Sequence, residues 1–543
     1  MRNVLTGLSL LFLGQIYLAG QNVIEIDSIF KLLGTDHVQE VSSEDVERLE
    51  YLLYHPARIN QLDEAGLRST GLFSQYQVAV IKDYLSLHGN IMSLMELSLL
   101  DGFDSDLVKR LAPFISLAPS GHEEAGCSHE TAVRAGGKWQ EGKETDGSYG
   151  AKYRININDG LKAVCALSRA AATDSWAPSA YTGSLEWKLR RCPVRIIAGD
   201  FNARFGQGLV LWNNSFMNTL TSPDTFMKKP SGITQSWSFT GSSSLRGLAT
   251  EIGFGSFQLT ALASHSGPAL NLAWYGRNGQ ISITNILWKS GIDAAFCIKG
   301  VNVFGEASYD WDSGLPSCIA GTRFRISESV DVAAQTRVFV KEEYGLALGG
   351  SLSFGQNVSA VMTADAAYYP VPKDKNEIHS AQLKTQMVCE MQSGTGWKLK
   401  LRVSERLRTW GLCLRTDIRA DVLYDVGPIV LTTRVNVLSC DKTGVLSYVE
   451  GGYRQEKLSC YLRQGIFFID DWDDRIYVYE RDAPGSFNVP AMYGRGVWTA
   501  ITANLKFARS LSLYARASYV AYPFMEKKKP GKAELKLQLQ YRF

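Results

Sequence analysis

The chain has 543 residues, of which 45% are hydrophobic, 11% aromatic and 20% charged, with 49 glycines and a formal net charge of +3. This profile excludes a disordered or collagen-like chain and is too polar for a bundle of membrane-spanning helices. Length alone points to two or three soluble domains, unless most of the chain is one large closed sheet.

Residues 1–21 read as a secretory leader. Arg2 supplies the positive start, Val4 to Leu13 the apolar core, and Leu18-Ala19-Gly20 a small-residue cleavage site before Gln21. No Cys stands at that site, so a lipid anchor is not expected. No later segment approaches about 20 unbroken apolar residues, the length a spanning helix needs.

Residues 22–117 carry a helical period. Ser28 to Leu33 and Ser43 to Tyr54 form amphipathic segments, the second with Glu44, Asp45 and Glu47 in its first turn, where the helix dipole favours acids. Two similar units follow. The first runs from Leu62 to Leu67, turns at Gly71-Leu72-Phe73 and resumes as a helix over 75–87. The second opens on the capping box Ser93-Leu94-Met95-Glu96, breaks at Asp101-Gly102-Phe103 and restarts behind Asp104 as N-cap, until Pro113 ends the register. Residues 118–130 form a linker.

Over residues 131–543 the period is two. Ala151, Tyr153, Ile155 and Ile157 alternate with Lys152, Arg154, Asn156 and Asn158. Ile418, Ala420 and Val422 alternate with Asp417, Arg419 and Asp421, and the last strand sets Leu535, Leu537, Leu539, Tyr541 and Phe543 against Lys536, Gln538, Gln540 and Arg542. Strands with one apolar and one charged face, separated by tight turns and longer polar loops, predict lipid outside and a wet lumen inside. Aromatics at strand ends (Trp472, Tyr477, Tyr479, Tyr522, Phe524) fit interfacial girdles. The fold class predicted is therefore mainly β: a large antiparallel transmembrane β-barrel of about 22 to 26 strands, with a small all-α domain at its N-terminus. So wide a barrel is either an aqueous pore or holds a plug.

Lys152, Arg154, Asp200, Arg204, Arg415, Asp417, Arg419, Arg434 and Arg542 are the expected lumen-lining charges, paired in ladders across neighbouring strands. In the glycine-rich block from Gly199 to Gly208, Phe201, Ala203 and Phe205 are assigned to the lipid face and Asp200, Asn202 and Arg204 to the lumen. The segment 207–234 loses alternation, and the sequence leaves open whether it folds inward or outward. Tyr541 and the terminal Phe543 end the chain as an insertion signal for the barrel-assembly machinery does.

No catalytic, metal or cofactor site is expected. The nine cysteines include no closely spaced pair, and several, such as Cys165, stand where a small apolar wall residue would serve. Ser264 and His265 are neighbours on a strand and point to opposite faces, so they do not form a nucleophile and base. Gly199 to Gly208 lacks the Gly-Lys-Ser/Thr ending of a phosphate loop.

The two hairpins resemble tandem helix-hairpin-helix motifs of competence-type DNA-uptake proteins. With the block from Gly199 to Leu209, the stretch Ile476-Tyr477-Val478-Tyr479-Glu480 and the terminal strand, the whole mature chain resembles the helix-hairpin-helix outer-membrane barrels of Bacteroidetes-type bacteria. The resemblance implies an outer-membrane protein with its helical domain in the periplasm. It also implies hairpin contacts to phosphate or a partner at Gly71, Leu72, Phe73, Gly102 and Phe103, helped by Lys109 and Arg110.

Charge argues against nucleic acid. Residues 22–115 hold fifteen acidic and seven basic side chains, a net of −8, whereas residues 116–543 carry +10. Both hairpins also lack the second glycine that lets a backbone approach phosphate. An acidic domain tethered to a basic barrel is expected to dock at the periplasmic mouth. The expected partners are thus lipid, the insertion machinery, and either a periplasmic protein or the chain's own barrel. The leading function is a channel or transport barrel with a periplasmic docking or plug domain. DNA uptake and an envelope assembly scaffold are the alternatives.

Overall fold

A computed structural model describes residues 26–33, 43–119 and 126–543, except 159, 172–174, 190–191, 214–219, 240–243, 356, 375–378, 412–413, 509 and 528. The leader at 1–21, residues 120–125 of the linker and Cys413 lie outside the described residues.

The alternating segments close into a single antiparallel barrel with 24 wall strands. Its seam joins the last strand, Lys532–Arg542, to the first, Cys127–Gln140, with Arg542 opposite Glu130 and Lys532 opposite Gln140. The wall is inverted relative to a soluble sandwich. Along Gly267–Tyr275, Leu270, Leu272 and Trp274 are exposed while Asn271 and Ala273 are buried; along Gly279–Ile286, Ile281 and Ile283 face out while Gln280, Ser282 and Thr284 face in. Apolar side chains outside and polar ones inside are what a lipid solvent requires of a transmembrane barrel.

The two rims differ. At the end holding Cys127 and Arg542, the connections are short, as at 255–256, 299–300, 328–329 and 427–428. At the other end lie the long connections 170–179, 205–244, 370–379, 470–493 and 522–531. Aromatic pairs mark both rims: Phe254 with Phe257 and Trp397 with Tyr424 at the short-turn end, Tyr309 with Trp311 and Tyr344 with Tyr368 at the other.

Two long connections turn into the lumen. The strand Val194–Arg204 pairs with Leu245–Phe254 through Phe201, then leaves the wall and pairs instead with the short strand Gly232–Gln235. This overturns the assignment made for Asp200, Phe201, Ala203 and Phe205 in that block, whereas Asn202 and Arg204 face the interior, where they meet Glu44 and Asp45. Phe201 and Ala203 are fully buried and join Ile197, Phe205, Ile233, Leu245 and Ala249 in an apolar cluster beneath the inward segment. Asp200 stands on the opposite face, where it accepts from Arg246 at 2.8 and 3.1 Å and from the Gly183 N–H at 2.7 Å. Alternation separates two faces of a strand without saying which is wet, and here the apolar face turns inward because an interior segment covers it. The second inward connection, 470–493, forms a small hairpin in which Ile476–Tyr477 pairs with Ala491–Met492. Tyr477 and Tyr479 therefore belong to the interior rather than to a girdle, whereas Trp472 and Phe524 are exposed.

Gly199 permits this departure. Its φ is +102°, and a Cβ would stand 2.1 Å from the Gly183 carbonyl oxygen. Both the backbone conformation and the close approach exclude a side chain. Gly199→Val is expected to block closure of the neighbouring strands, read as loss of the heat-modifiable folded band on electrophoresis. A folded band of wild-type intensity contradicts it.

Among the described residues the N-terminal unit has six α-helices: α1 Ile26–Leu33, α2 Ser43–Tyr54, α3 Glu64–Ser69, α4 Gln75–His88, α5 Leu94–Ser98 and α6 Ser105–Leu111. The boundaries follow local chemistry. Asp63, Ser74, Ser93 and Asp104 cap α3 to α6, each accepting from a backbone N–H of the first turn. Ile29, Val46, Leu49, Leu67, Phe73, Val78, Ile81, Leu97, Phe103, Leu111 and Phe114 form its core, and a parallel pairing of Ala57–Arg58 with Ile115–Ser116 ties its ends.

Candidate functional site

The helical unit sits inside the barrel, at the short-turn end, and its wall contacts run from Tyr514 across the seam round to Arg325. Near the rim, Lys188 meets Asp63 at 2.9 Å, Arg277 meets Asp83 at 3.0 Å, and Arg325 meets Asp104. Arg68 donates to Gln258 at 3.0 Å and lies over the Tyr275 ring. On the far side Tyr54 and Tyr514 share a hydrogen bond of 3.0 Å, and Arg542, bonded to Glu130, covers the Tyr54 ring.

Deeper contacts come from α2, whose side chains at intervals of three and four share one face. Val46 and Leu49 point into the unit's core, while Glu44, Glu47 and Glu50 point out of it. Glu47 accepts from Lys152 at 3.1 Å, a wall lysine that also donates to the Trp237 carbonyl and lies over the Phe239 ring. Asp45 pairs with Arg204, Glu44 accepts from Asn202 and Ser236, and Glu50 accepts the Gly485 N–H at 2.8 Å. Asn202, Arg204 and Ser236 belong to the first inward connection and Gly485 to the second, so α2 is met from the long-loop end by both.

Those connections are anchored independently. Glu306 of the wall accepts the N–H groups of Gln207, Leu209 and Val210 at 2.6, 3.1 and 3.2 Å. Gly206 and Gly208, both with positive φ, shape the backbone into an anion nest, and the anion it holds is this carboxylate. Asp224 lies between Arg110 of α6 and Arg323 of the wall. Burial opposes its ionisation, but the two guanidiniums outweigh burial and hold its carboxyl well below the usual range. Tyr479 and Phe487 pack on Phe30 of α1, with ring centroids 5.6 and 6.4 Å away.

The charges expected to line the lumen divide by what they meet. Lys152, Arg154 and Arg204 meet the helical unit, Arg154 lying over the Tyr51 ring. Asp417 pairs with Arg402, and Arg419 and Arg434 converge on Asp421. Arg415 stands opposite Arg406 on the adjoining strand. Asp200 is the exception described above. Tyr541 faces outward on the last strand, and Phe543 pairs through its backbone with His129 at 2.7 and 2.9 Å. Ser264 donates to the Gly267 carbonyl within a tight turn. Glu306 and Asp224 were not singled out in the sequence, since their partners are distant along the chain.

The hairpin turns do not offer an open anion site. Gly71 and Gly102 have positive φ, as the turns require, but the space beside each is filled. A Cβ on Gly71 would lie 2.5 Å from Arg48 Nη1, and one on Gly102 would lie 3.0 Å from the Tyr76 ring. Leu72, Phe73 and Phe103 are buried in the core, and the Leu72 carbonyl accepts from Lys229 at 2.8 Å. Lys109 pairs with Asp106, and Arg110 is held by Asp224.

Burial raises Glu44 to about 7 and Glu50 to about 8, and it raises Glu47 as well. A carboxyl whose pKa rises on docking stabilises the docked state fully below its undocked value, near 4.5, and loses that contribution as pH climbs through the docked value. Docking is therefore expected to weaken between about pH 4.5 and 8. Hydrogen exchange over residues 43–54 in the purified protein checks this: protection at pH 5 should exceed that at pH 8.5 after correction for intrinsic rates. Equal protection would contradict it.

No protein-family model and no curated protein matches the chain. Among solved structures it is similar to the siderophore receptor PirA from Pseudomonas aeruginosa, at 9% identity over 77% of this chain and 80% of that one, with a TM-score of 0.43. It is similar also to a mutant ferric enterobactin receptor, PfeA, from the same organism (8%, 77% and 81%, TM-score 0.44), and to the same organism's OpdQ (9%, 77% and 97%, TM-score 0.31). The resemblance to helix-hairpin-helix barrels of the Bacteroidetes type is corrected: the solved barrels matched are siderophore and ferric enterobactin receptors and OpdQ-type structures, and no family model matches the chain. The motif's outline misled because any two short helices joined through a positive-φ glycine produce it. The coarse architecture stands: a large antiparallel transmembrane barrel with a small helical region at its N-terminus.

Proposed function

We propose that the chain is an outer-membrane transport barrel whose helical unit plugs the lumen from the periplasmic side. Short turns beside both barrel ends of the chain, with long connections opposite, support a periplasmic position for the unit, as outer-membrane barrels are built that way. One observation carries the plug reading. Acidic side chains of the unit meet basic side chains of the wall and inward segments at Glu47–Lys152, Asp45–Arg204, Asp63–Lys188, Asp83–Arg277 and Asp104–Arg325. The unit's partner is then its own barrel, and the opposite net charges of the two parts have a structural use. Solute passage requires the plug to shift or leave. Conductance of the protein without residues 22–117, compared with the full chain in a planar bilayer, tests this reading.

A further inference from the structure

The wall outside the arc from Tyr514 to Arg325 carries a run of cations on its lumen face. Strands Ser380–Gln392, Trp397–Arg408 and Leu414–Val426 are neighbours there. Near the long-connection end Lys384 stands opposite Arg406, which stands opposite Arg415 on its other side. Side chains directly opposed on one face come within about 5 Å of each other at Cβ. Arg408, two residues further along that face, stands opposite Gln382 and donates to it at 2.9 Å.

Like charges directly opposite one another destabilise a sheet. Lower on the same strands each lumen cation is answered by a carboxylate. Lys398 and Lys400 meet Glu390 at 2.6 and 4.0 Å, Arg402 meets Asp417 at 2.8 Å, and Arg419 meets Asp421 at 2.6 Å. Near the long connections the pattern stops. Among the described residues none of Lys384, Arg406, Arg408 and Arg415 pairs with a carboxylate, and Arg406 Nε donates to no acceptor. The acids that face the group are engaged elsewhere: Asp365, opposite Lys384, is held by Arg337 at 2.7 Å, and Asp473 lies 3.8 Å from Arg475. All four cations are half-buried and still reach the lumen, whereas Lys152 and Arg204, which meet the helical unit, are buried.

We propose that these four side chains bind a small oxyanion carrying two or more negative charges, a phosphate or carboxylate compound, inside the lumen. Such an anion supplies the counter-charge that the wall withholds, so mutual repulsion becomes shared attraction. Guanidinium groups suit the task because their parallel N–H donors match the paired oxygens of carboxylate and phosphate. A singly charged anion would leave most of the group's charge unanswered. A patch of one sign between low-dielectric walls also focuses its field and concentrates anions beside it. As a statement about the solute carried, the inference rests on the transport reading above.

Calorimetric titration of the full-length protein in detergent at low ionic strength, with pyrophosphate and separately with propane-1,2,3-tricarboxylate, tests it. Saturable binding of at least one is expected, and the tighter of the two identifies the oxyanion. Arg406→Gln is expected to weaken binding at least about tenfold, the loss of one charge-assisted contact. Lys398→Gln, whose lysine already has Glu390, is expected to leave affinity within about twofold. Because Arg406→Gln relieves a like-charge contact, the ligand-free variant is expected to melt at or above the wild-type temperature, which loss of a merely structural arginine would not produce. Absence of saturable heat for both anions, unchanged affinity in Arg406→Gln, equal competition by sodium gluconate, or a lower melting temperature of Arg406→Gln overturns the proposal. The two readings fail separately. Anion binding without a conductance rise on plug deletion overturns the plug alone, and a conductance rise without binding overturns the anion site alone.

Discussion

Deletion of residues 22–117 is expected to raise single-channel conductance in a planar bilayer at least about tenfold over the full chain. A closed wall of 24 strands encloses a lumen too wide for wall side chains to fill. The helical unit brings its own apolar core into that space and meets the wall on both sides of the seam, through His55–Glu130 and Tyr54 beneath Arg542, and round to Arg325. Its removal also takes support from both inward connections. Asp224 loses Arg110, while Tyr479 and Phe487 lose Phe30. The wall's strand pairings do not involve the unit, so the barrel itself is expected to form, which a heat-modifiable band verifies. Unchanged conductance from a folded barrel would end the plug reading.

Asp224→Asn is expected to loosen the plug without removing it. The carboxylate bridges Arg110 of the unit and Arg323 of the wall, so its loss leaves two part-buried guanidiniums facing each other, although Arg323 keeps Asp331. Breaking a fully buried pair by removing one partner typically costs about 3–5 kcal/mol, and the partial exposure of these side chains places the cost at the lower end. About 3 kcal/mol corresponds to a rise of roughly two orders of magnitude in the undocked population. The readout is the frequency of transient openings in bilayer recordings, together with hydrogen exchange over α6. The carboxyl's low pKa means that neutral to mildly acidic pH should not mimic the substitution. Arg277→Gln is the contrast, because the Arg277–Asp83 pair at the rim is exposed and such pairs contribute only about 0–1 kcal/mol. Openings as frequent in Arg277→Gln as in Asp224→Asn would show that burial does not rank these contacts.

The acidic face of α2 links these effects to pH. Glu44 and Glu50 dock most favourably as neutral carboxyls, while Asp224 docks as an anion, so the unit combines contacts of opposite pH dependence. In the neutral range the α2 acids set the trend, since the Asp224 carboxylate is already ionised there.

Much of this protein was legible in its sequence because the deciding interactions are local. Alternation over two residues is a property of the strand backbone, so Leu270 to Trp274 or Leu535 to Tyr541 declared a wall with one apolar face. Ser74, Ser93 and Asp104 cap helices through atoms two or three residues away, and those helices begin where the caps place them. The acidic helical unit and basic barrel were countable from composition, and their attraction was inferable from Coulomb's law alone.

What the tertiary structure decided is which face of an ambiguous strand is interior and what fills the lumen. Asp200 and Phe201 exchange the roles their alternation suggested because Gly232–Gln235, some 30 residues on by number, pairs beside them and buries the apolar side. Tyr479 sits on the helical unit and not at the membrane interface, because the connection from 470 to 493 turns inward to meet Phe30. Glu306 and Asp224 acquire meaning only when segments far apart in the chain converge on them. Long-range pairing of this kind depends on loop closure and on the shape of the enclosed space, neither of which a local pattern encodes.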